Sequence, residues 1–190
     1  MYKKAFFDYK PYNHQEVRDK NLIINFINKN DDALYRTNLA AHVTSSAFIL
    51  NKDLTKVCFV YHNIYNSWSW VGGHNDGNPD LLEVAIAEAK EETGLTNIKP
   101  LSKEIFTIDV IYVPNHIKHN QYVPDHLHLN AAFILQGDET EELIIKTDEN
   151  SGVRWFLLTD IFKVITEDRM IPVYKKAFEK LKFNQEYRSI

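Results

Sequence analysis

The sequence lacks features that several classes of protein need. It has one cysteine, Cys58, in 190 residues, so no disulfide framework can form within the chain. No apolar run approaches the roughly 20 residues of a transmembrane helix, and the N-terminal segment has no apolar core of the signal-peptide kind. These absences predict a cytoplasmic protein that does not act in a membrane.

The sequence also has no large excess of charge of either sign. The 22 lysines and arginines against 26 aspartates and glutamates give a formal net charge of −4. The chain has neither a basic tract nor a stripe of interleaved basic and aromatic residues, which are the marks of a nucleic-acid surface. We therefore expect no nucleic-acid partner.

The sequence does have enough apolar material for a sizeable core. A content of 44% hydrophobic and 13% aromatic residues suits one domain of this length. We expect a single domain over 1–190, with an N-terminal extension over 1–38 packed on the core, the core over 39–165 and a C-terminal helix over 166–190. The sequence leaves open whether the extension also pairs two chains into a homodimer.

Sequence patterns predict helices and strands in alternation. The predicted strands cover 43–50, 56–62, 105–113, 126–135 and 152–156, and a strand followed by a turn is predicted over 68–73. The predicted helices cover 16–28, 80–93, 158–166 and 173–181. The polar segment between Pro114 and Pro124, which contains His116 and His119, is predicted to be a loop. Strands with helices before, between and after them favour an α/β/α sandwich.

The most informative segment runs over 73–95. Glu88, Glu91 and Glu92 share one face of the predicted helix that Gly94 closes. Glu88 and Glu92 repel each other, and the helix C-terminus disfavours anions by about 0.3–1 kcal/mol each. A bound cation would reverse that penalty, and hard oxygen ligands favour Mg²⁺ or Mn²⁺. A solvated acidic helix face is the alternative.

Gly72 and Gly73 precede that helix and follow an aromatic, strand-like run. A glycine-rich turn into a helix lets the backbone approach an anionic ligand closely. His74 follows directly, so we expect substrate contacts from Gly72, Gly73 and His74.

These residues resemble the signature of the Nudix hydrolases, which is Gly, five residues, Glu, seven residues, Arg-Glu, an aliphatic, any residue, Glu-Glu, any residue, Gly and an aliphatic. Seven residues fit that spacing: Gly73, Glu88, Ala89, Glu91, Glu92, Gly94 and Leu95. Two depart from it, because Pro79 stands in place of the first Glu and Ala87 in place of Arg. The likeness covers roughly 40–165.

The resemblance implies a metal-dependent hydrolase that cleaves the diphosphate linkage of a nucleoside diphosphate joined to another moiety. It implies Mg²⁺ on Glu88, Glu91 and Glu92, with Mn²⁺ as the other candidate ion. It also implies catalytic roles for Glu88, Glu91 and Glu149, one of which would take the proton of the attacking water. Glu149 as an ordinary loop carboxylate is the alternative.

The departure at Ala87 has two consequences. The family's Arg orients a catalytic glutamate, so its loss predicts slower turnover or a substitute orienting residue. If the family's Glu and Arg form a pair, losing both at Pro79 and Ala87 leaves no unpaired buried charge. That hypothesis fails if a basic side chain such as Lys90 occupies the place of the Arg.

Three other functions compete with the hydrolase. Ala87 favours a non-catalytic Nudix-like module that binds a nucleotide or phosphorylated metabolite. Allylic diphosphate isomerases share the fold but use a reactive cysteine, whereas Cys58 is predicted to be buried. Asp76, Asn78 and Asp80 alternate as in an EF-hand loop, but its sixth and twelfth positions do not fit, which favours a loop and helix-capping role.

Several other side chains have both a functional and a structural interpretation. His126 and His128 face the same side of a strand, either toward a ligand or satisfied by neighbouring backbone. The aromatic residues Trp68, Trp70 and Tyr112 could stack on a base, but aromatic residues on strands are more often core. Arg36 and Arg154 could each hold a phosphate.

Overall fold

The structure, a computed structural model, describes residues 1–118, 120–147 and 150–183. The described helices are α1 (Tyr2–Asp8), α2 (His14–Lys29), α3 (Leu81–Thr93) and α4 (Ile171–Phe183). The described strands are β1 (Ala41–Leu50), β2 (Lys56–His62), β3 (Ser67–Ser69), β4 (Val71–His74), β5 (Lys99–Pro100), β6 (Thr107–Val113), β7 (His116–Lys118), β8 (Gln121–Val123), β9 (His126–Gln136) and β10 (Asn150–Leu157).

The strands form one large sheet and one small hairpin. The large sheet has the order β10-β2-β1-β9-β5, with β3 added on β2, β4 on β1 and β6 on β9. β10 pairs antiparallel with β2, and β6 pairs antiparallel with β9. β7 and β8 pair only with each other among the described strands. The predicted α/β class is therefore confirmed.

The helix that carries the three glutamates ends where the sequence predicts. At its start, the Asp80 carboxylate accepts a hydrogen bond from the Glu83 backbone N–H at 3.0 Å, as an N-cap residue does. At its end, Gly94 has φ +76° and its N–H donates to the Lys90 carbonyl at 2.9 Å. A left-handed glycine of this kind stops a helix.

Backbone contacts divide the chain into two compact units. Unit 1 comprises Met1–Ser46, Gly72–Ala85 and Glu104–Phe133, and unit 2 comprises Ala47–Val71, Ile86–Lys103 and Ile134–Ile190. β1, β4, β9 and α3 each contribute residues to both units. The division into extension, core and C-terminal helix stays a prediction.

The N-terminal helices belong to unit 1. α1 packs on α2, and α2 packs on β6. The hydroxyl of Tyr9 lies 2.6 Å from the Glu16 carboxylate and 3.1 Å from the Phe106 carbonyl oxygen. The Asp19 carboxylate accepts a hydrogen bond from the backbone N–H of Val110 on β6 at 2.9 Å. The contact between Asp19 and Val110 therefore holds α2 against this strand.

The core of unit 2 is aromatic. The rings of Phe48, Phe59 and Tyr174 are fully or almost fully buried. Phe48 packs edge-on to Tyr174, with ring centroids 5.9 Å apart, and Phe59 packs on Tyr174 at 5.2 Å. Edge-to-face pairs of this kind add stability beyond the area that they bury. α4, which carries Tyr174, is held by these rings.

Three element predictions are wrong. The strand and turn predicted over 68–73 are two short strands, β3 and β4, separated at Trp70. The predicted loop between Pro114 and Pro124 contains the hairpin β7–β8, and His119 lies outside the described residues. The predicted helix over 158–166 is only the 3₁₀ turn Ile161–Lys163, in a segment whose β-branched residues have low helix propensity. α1 was not predicted.

Within the described residues, no helix has both the length and the apolarity needed to cross a membrane.

Candidate functional site

The three glutamates of the last two turns of α3 differ in exposure. Glu92 is buried, Glu88 is half-buried and Glu91 is exposed. All three lie in unit 2. A solvated acidic face would leave all three carboxylates in water, so the burial of Glu92 requires partners that compensate its charge or hydrogen-bonding capacity.

One partner of Glu92 is Asn150, the first residue of β10. The Asn150 side-chain N–H₂ donates to the Glu92 Oε2 at 2.8 Å, and Asn150 is only 1% exposed. Its other amide atom, Oδ1, has no hydrogen-bond partner within the described part of the chain. A buried amide oxygen in this position requires a donor or a cation. Sequence reasoning missed Asn150 and chose its neighbour Glu149, which lies outside the described residues.

Glu91 has a cationic partner. The Lys146 Nζ lies 2.6 Å from the Glu91 Oε1, and the Lys146 side chain is 21% exposed. Lys146 was also missed by sequence reasoning, because it lies far from the helix along the chain. Lys90 and Ala87 are both exposed on α3. The basic side chain that meets this glutamate therefore comes from the segment before β10.

The side-chain oxygens at this end of α3 suit a hard divalent cation as ligands. Carboxylate oxygens of Glu88, Glu91 and Glu92 and the amide oxygen of Asn150 are the ligand types that Mg²⁺ and Mn²⁺ prefer. The orphaned Oδ1 of Asn150 is the observation that favours an ion over a merely structural acidic cluster. The ligand types therefore fit the predicted metal, although Glu88, Glu91 and Glu92 do not form a group of ligand atoms within 4.8 Å of one another in the described part of the chain.

The two glycines of the signature region lie in a strand and not in the predicted turn. Gly72 and Gly73 belong to β4. A Cβ on Gly72 would lie 2.6 Å from the Ser46 Cβ and 2.7 Å from the Ser45 carbonyl oxygen. Gly72 is therefore needed for close approach of two strands within unit 1, whatever contact it makes with a ligand.

The loop between β4 and α3 is built from short polar side chains. The Asn75 Oδ1 accepts a hydrogen bond from the Ser45 hydroxyl at 3.0 Å, and the Asn78 Oδ1 accepts one from the Asp80 N–H at 2.9 Å. Asp76 accepts hydrogen bonds from two guanidinium nitrogens of Arg36, with Nε donating to one carboxylate oxygen and Nη2 to the other. That pair lowers the pKa of Asp76 chiefly by hydrogen bonding. The loop and N-cap interpretation of these residues is confirmed.

A cluster of histidines occupies one face of unit 1. His42 lies on β1, His74 ends β4, and His126 and His128 lie on β9. The ring centroid of His42 is 4.9 Å from that of His74, 4.9 Å from that of His126 and 5.0 Å from that of His128. His42, His74 and His128 can each offer one nitrogen so that all three atoms lie within 4.8 Å of one another. Sequence reasoning found the pair on β9 but not its meeting with His42 and His74.

Two members of this cluster, His42 and His128, resist protonation. Burial lowers the pKa of His42, and the neighbouring His126 lowers it further. Burial also lowers the pKa of His128 well below its usual value, with further contributions from His74, His42 and His126. Both rings are therefore neutral at neutral pH, and each has a nitrogen lone pair.

The aromatic side chains that could have stacked on a base are mostly engaged in packing. The Trp68 ring packs on Tyr61 and on Phe156, and Trp70 packs on Phe48 and Tyr174. Tyr112 is half exposed, and its hydroxyl donates to the Asp125 carboxylate at 2.8 Å. The structural interpretation therefore accounts for Trp68 and Trp70.

Cys58 is fully buried on β2. Burial raises the pKa of its thiol to about 12. A thiol in that state is protonated and inaccessible, so it has neither property of a reactive cysteine.

Comparison with protein families gives a match to the NUDIX domain over residues 40–181, which is most of the chain. The chain belongs to the NUDIX family. Its Nudix signature therefore lies at 73–95, with the three glutamates on α3 as described. A search of curated proteins found no match.

Several solved structures are similar to this Nudix chain. An Ap4A hydrolase from C. elegans, solved as a binary complex, is 15% identical and aligns over 74% of this chain and 97% of its own, with a TM-score of 0.52. A NUDIX-family hydrolase from Clostridium perfringens is 22% identical over 73% of this chain and 97% of its own, with a TM-score of 0.49. The family match and the first likeness confirm the predicted fold class, a Nudix-like α/β/α sandwich with a mixed sheet and an additional N-terminal helix.

The two departures from the Nudix signature lie at exposed positions. Pro79, in the loop before α3, is exposed, and so is Ala87. A charged side chain at either position could remain solvated, so avoidance of a buried charge does not explain the loss of both.

Proposed function

We propose that this Nudix protein hydrolyses the diphosphate linkage of a nucleoside diphosphate joined to another moiety. The observation that carries the proposal is the arrangement at the end of α3, where glutamates in the signature register have two polar partners. Glu92 accepts a hydrogen bond from the buried amide of Asn150, whose Oδ1 has no hydrogen-bond partner among the described residues, and Glu91 pairs with the Lys146 ammonium group. An acidic helix end with a purely structural role would need neither the Asn150 amide oxygen nor the Lys146 ammonium group.

Glu88, Glu91 and Glu92 would hold Mg²⁺, or Mn²⁺ in its place. When bound, the metal neutralises diphosphate charge and lowers the pKa of a bound water. Asn150 fixes the Glu92 carboxylate through its N–H₂ group, so that one Glu92 oxygen keeps its orientation. The proton of the attacking water would pass to Glu88, Glu91 or Glu149, whichever lies within hydrogen-bond reach.

Lys146 would take over the orienting role of the family's Arg. Its ammonium group pairs with the Glu91 carboxylate and so restricts the rotamers of a side chain that is otherwise exposed. An ammonium group makes a single-point contact, whereas a guanidinium group can bind both carboxylate oxygens at once. We therefore expect a functional but looser constraint, and slower turnover than an arginine would allow.

The substrate would be a small nucleoside diphosphate derivative, with Gly72, Gly73 and His74 as its proposed contacts. The C. elegans neighbour is an Ap4A hydrolase, which makes dinucleoside polyphosphates one class to test. Cytoplasmic location, homodimer formation and the absence of nucleic-acid and membrane partners stay predictions.

The test is cleavage of a substrate panel with Mg²⁺ or Mn²⁺. The panel contains ADP-ribose, dinucleoside polyphosphates, nucleotide sugars, coenzyme A, NADH and nucleoside triphosphates, and each is assayed beside Glu91→Gln. We expect metal-dependent cleavage of at least one class, abolished by the substitution. Cleavage that persists in Glu91→Gln would contradict the assigned site.

A binding module without hydrolysis is the second candidate, because Ala87 leaves α3 without the family's Arg. It predicts metal-dependent nucleotide binding with no cleavage across the panel. That result would also remove the proposed role of Lys146, since a residue cannot orient a catalytic group in a protein that does not catalyse.

A further inference from the structure

The histidine cluster of unit 1 has no part in the proposed hydrolysis beyond a contact from His74. Four imidazoles from three strands lie with neighbouring ring centroids about 5 Å apart. Buried histidines usually satisfy both nitrogens with hydrogen bonds. A buried ring nitrogen without a hydrogen-bond partner therefore indicates a position where a ligand could bind.

Backbone carbonyls fix the tautomers of two of these rings. The His42 Nδ1 lies 3.0 Å from the Asn38 carbonyl oxygen, and the His126 Nδ1 lies 2.8 Å from the Pro124 carbonyl oxygen. A carbonyl only accepts, so each Nδ1 carries a proton, and a ring protonated only there has its lone pair on Nε2. Metal-binding histidines are held in this way, with the other N–H donated to a carbonyl or carboxylate.

The lone pairs point into the cluster. The His42 Nε2 is buried and has no hydrogen-bond partner among the described residues, and His42 is only 3% exposed. The His126 Nε2 lies 3.2 Å from the His128 Nε2. With its Nδ1 protonated, His126 accepts this hydrogen bond at Nε2 from the His128 Nε2–H. An ion could replace that proton, because two nitrogens bound to one tetrahedral Zn²⁺ at 2.0–2.1 Å lie about 3.4 Å apart.

Hydrogen bonds next to the cluster hold β1 and β9 in place. Asn130, two residues beyond His128, accepts from the Thr44 hydroxyl at 3.0 Å and donates to the Ser46 hydroxyl oxygen at 2.9 Å. Side chains two apart on a strand share a face, so these bonds fix the face on which His42 and His128 lie. The positions of the ligands therefore depend on buried structure and not on loops.

We propose that His42, His74 and His128 form a second metal site in this protein, one that takes a transition-metal ion of the Zn²⁺ class, with His126 as an additional ligand or a support for His128. Imidazole nitrogens suit Zn²⁺, Co²⁺ and related ions, whereas Mg²⁺ requires oxygen. Three histidines leave a coordination position open for water or an anion.

The test is metal titration of the full chain after stripping with a chelator. Co²⁺ and Zn²⁺ are added in the presence of excess Mg²⁺, which occupies oxygen sites, and Zn²⁺ affinity is measured by competition with a chromophoric chelator. We expect one equivalent of Co²⁺ to give the visible absorption of a tetrahedral ion, and Zn²⁺ to displace it. Absence of stoichiometric binding would overturn the proposal.

Variants locate the site. His74→Gln and His128→Gln should each weaken Zn²⁺ binding at least about 100-fold, since even the loss of a supporting partner costs 10–100-fold. Glu91→Gln removes an oxygen ligand in unit 2, and His14→Gln removes an exposed histidine of α2, so neither should change the affinity. Unchanged binding in both cluster variants, or loss in Glu91→Gln, would contradict the assignment.

A measurement on the unaltered protein covers the case in which both cluster variants fail to fold. X-ray absorption at the zinc edge distinguishes imidazole ligands by the scattering of their outer ring atoms. We expect a spectrum that requires at least three imidazoles. A spectrum explained by oxygen ligands alone would overturn the proposal.

Discussion

At the scale of single residues, the Lys146–Glu91 pair carries the strongest catalytic prediction. Lys146→Met removes the ammonium group and keeps most of the apolar stem. We expect kcat to fall by up to about 100-fold, because small misplacement of a catalytic group has costs of that order, while KM changes little. The measurement is steady-state kinetics on the substrate that the panel identifies.

The control is the conservative variant at the same position. Lys146→Arg keeps a cation that can reach the Glu91 carboxylate and should retain or raise the activity, because a guanidinium group can bind both carboxylate oxygens. A purely structural role predicts instead that both variants alter thermal stability and leave kcat unchanged. Equal loss in both variants would also count against an orienting role.

The pKa of Cys58 leads to a second prediction. A thiol with a pKa of about 12 is almost entirely protonated at pH 8, and the nucleophile toward a disulfide reagent is the thiolate. Native protein should therefore not react with such a reagent within minutes, whereas protein in denaturant should react at once with one equivalent. Cys58→Ser should keep its hydrolytic activity, and loss of activity together with rapid native labelling would favour the isomerase.

Sequence spacing identified the residues of the site that lie on one element. Glu88, Glu91 and Glu92 could be predicted because a helix repeats its faces every three to four residues. Lys146 and Asn150 could not, because they meet α3 only through tertiary folding. The pairing of His42 with His128 depends in the same way on which strands are neighbours, which periodicity does not encode.

At the scale of elements, the end of α3 depends on one glycine. Gly94→Ala places a side chain at φ +76°, with its Cβ 2.7 Å from the Ile144 Cβ. A left-handed conformation costs an ordinary residue about 1–2 kcal/mol, and the contact adds to that cost. We expect the free energy of unfolding to fall by at least about 1 kcal/mol in a denaturant titration.

Lys90→Ala is the matched control for that variant. Lys90 is exposed on the same last turn, and its carbonyl, which accepts from the Gly94 N–H, is kept. Exposed substitutions usually change stability by less than about 0.5 kcal/mol. Equal effects in the two variants would show that the conformation of Gly94 does not matter.

Elements were predicted where local signals agree. α3 has a capping aspartate, an apolar stripe and a terminal glycine, and its predicted bounds lie within one residue of the observed ones. The segment after β10 has apolar residues but no such caps, and it turns away from a helix as the Thr166 N–H donates to the Ser67 hydroxyl oxygen at 3.0 Å. Tertiary contacts therefore determine the conformation of that segment, and the local sequence pattern does not.

At the scale of the whole molecule, the two units carry ligand sets of different chemistry. Unit 2 has the carboxylate and amide oxygens of Glu88, Glu91, Glu92 and Asn150, which suit a hard ion. Unit 1 has the imidazoles of His42, His74 and His128, which suit a borderline ion. Because selectivity arises from ligand type, the two ions should bind independently of each other.

Thermal unfolding tests that independence with two ions and two variants. An ion that binds only the folded protein stabilises it by about 2.7 kcal/mol at 100 times its dissociation constant, which for a chain of this size raises the Tm by roughly 5–10 °C. We expect the Mg²⁺ shift to disappear in Glu91→Gln and to remain in His128→Gln, and the Zn²⁺ shift to show the opposite pattern. A Zn²⁺ shift that disappears in Glu91→Gln would mean that both ions use the carboxylates, whereas a Mg²⁺ shift that persists there would place the hard ion elsewhere in the chain.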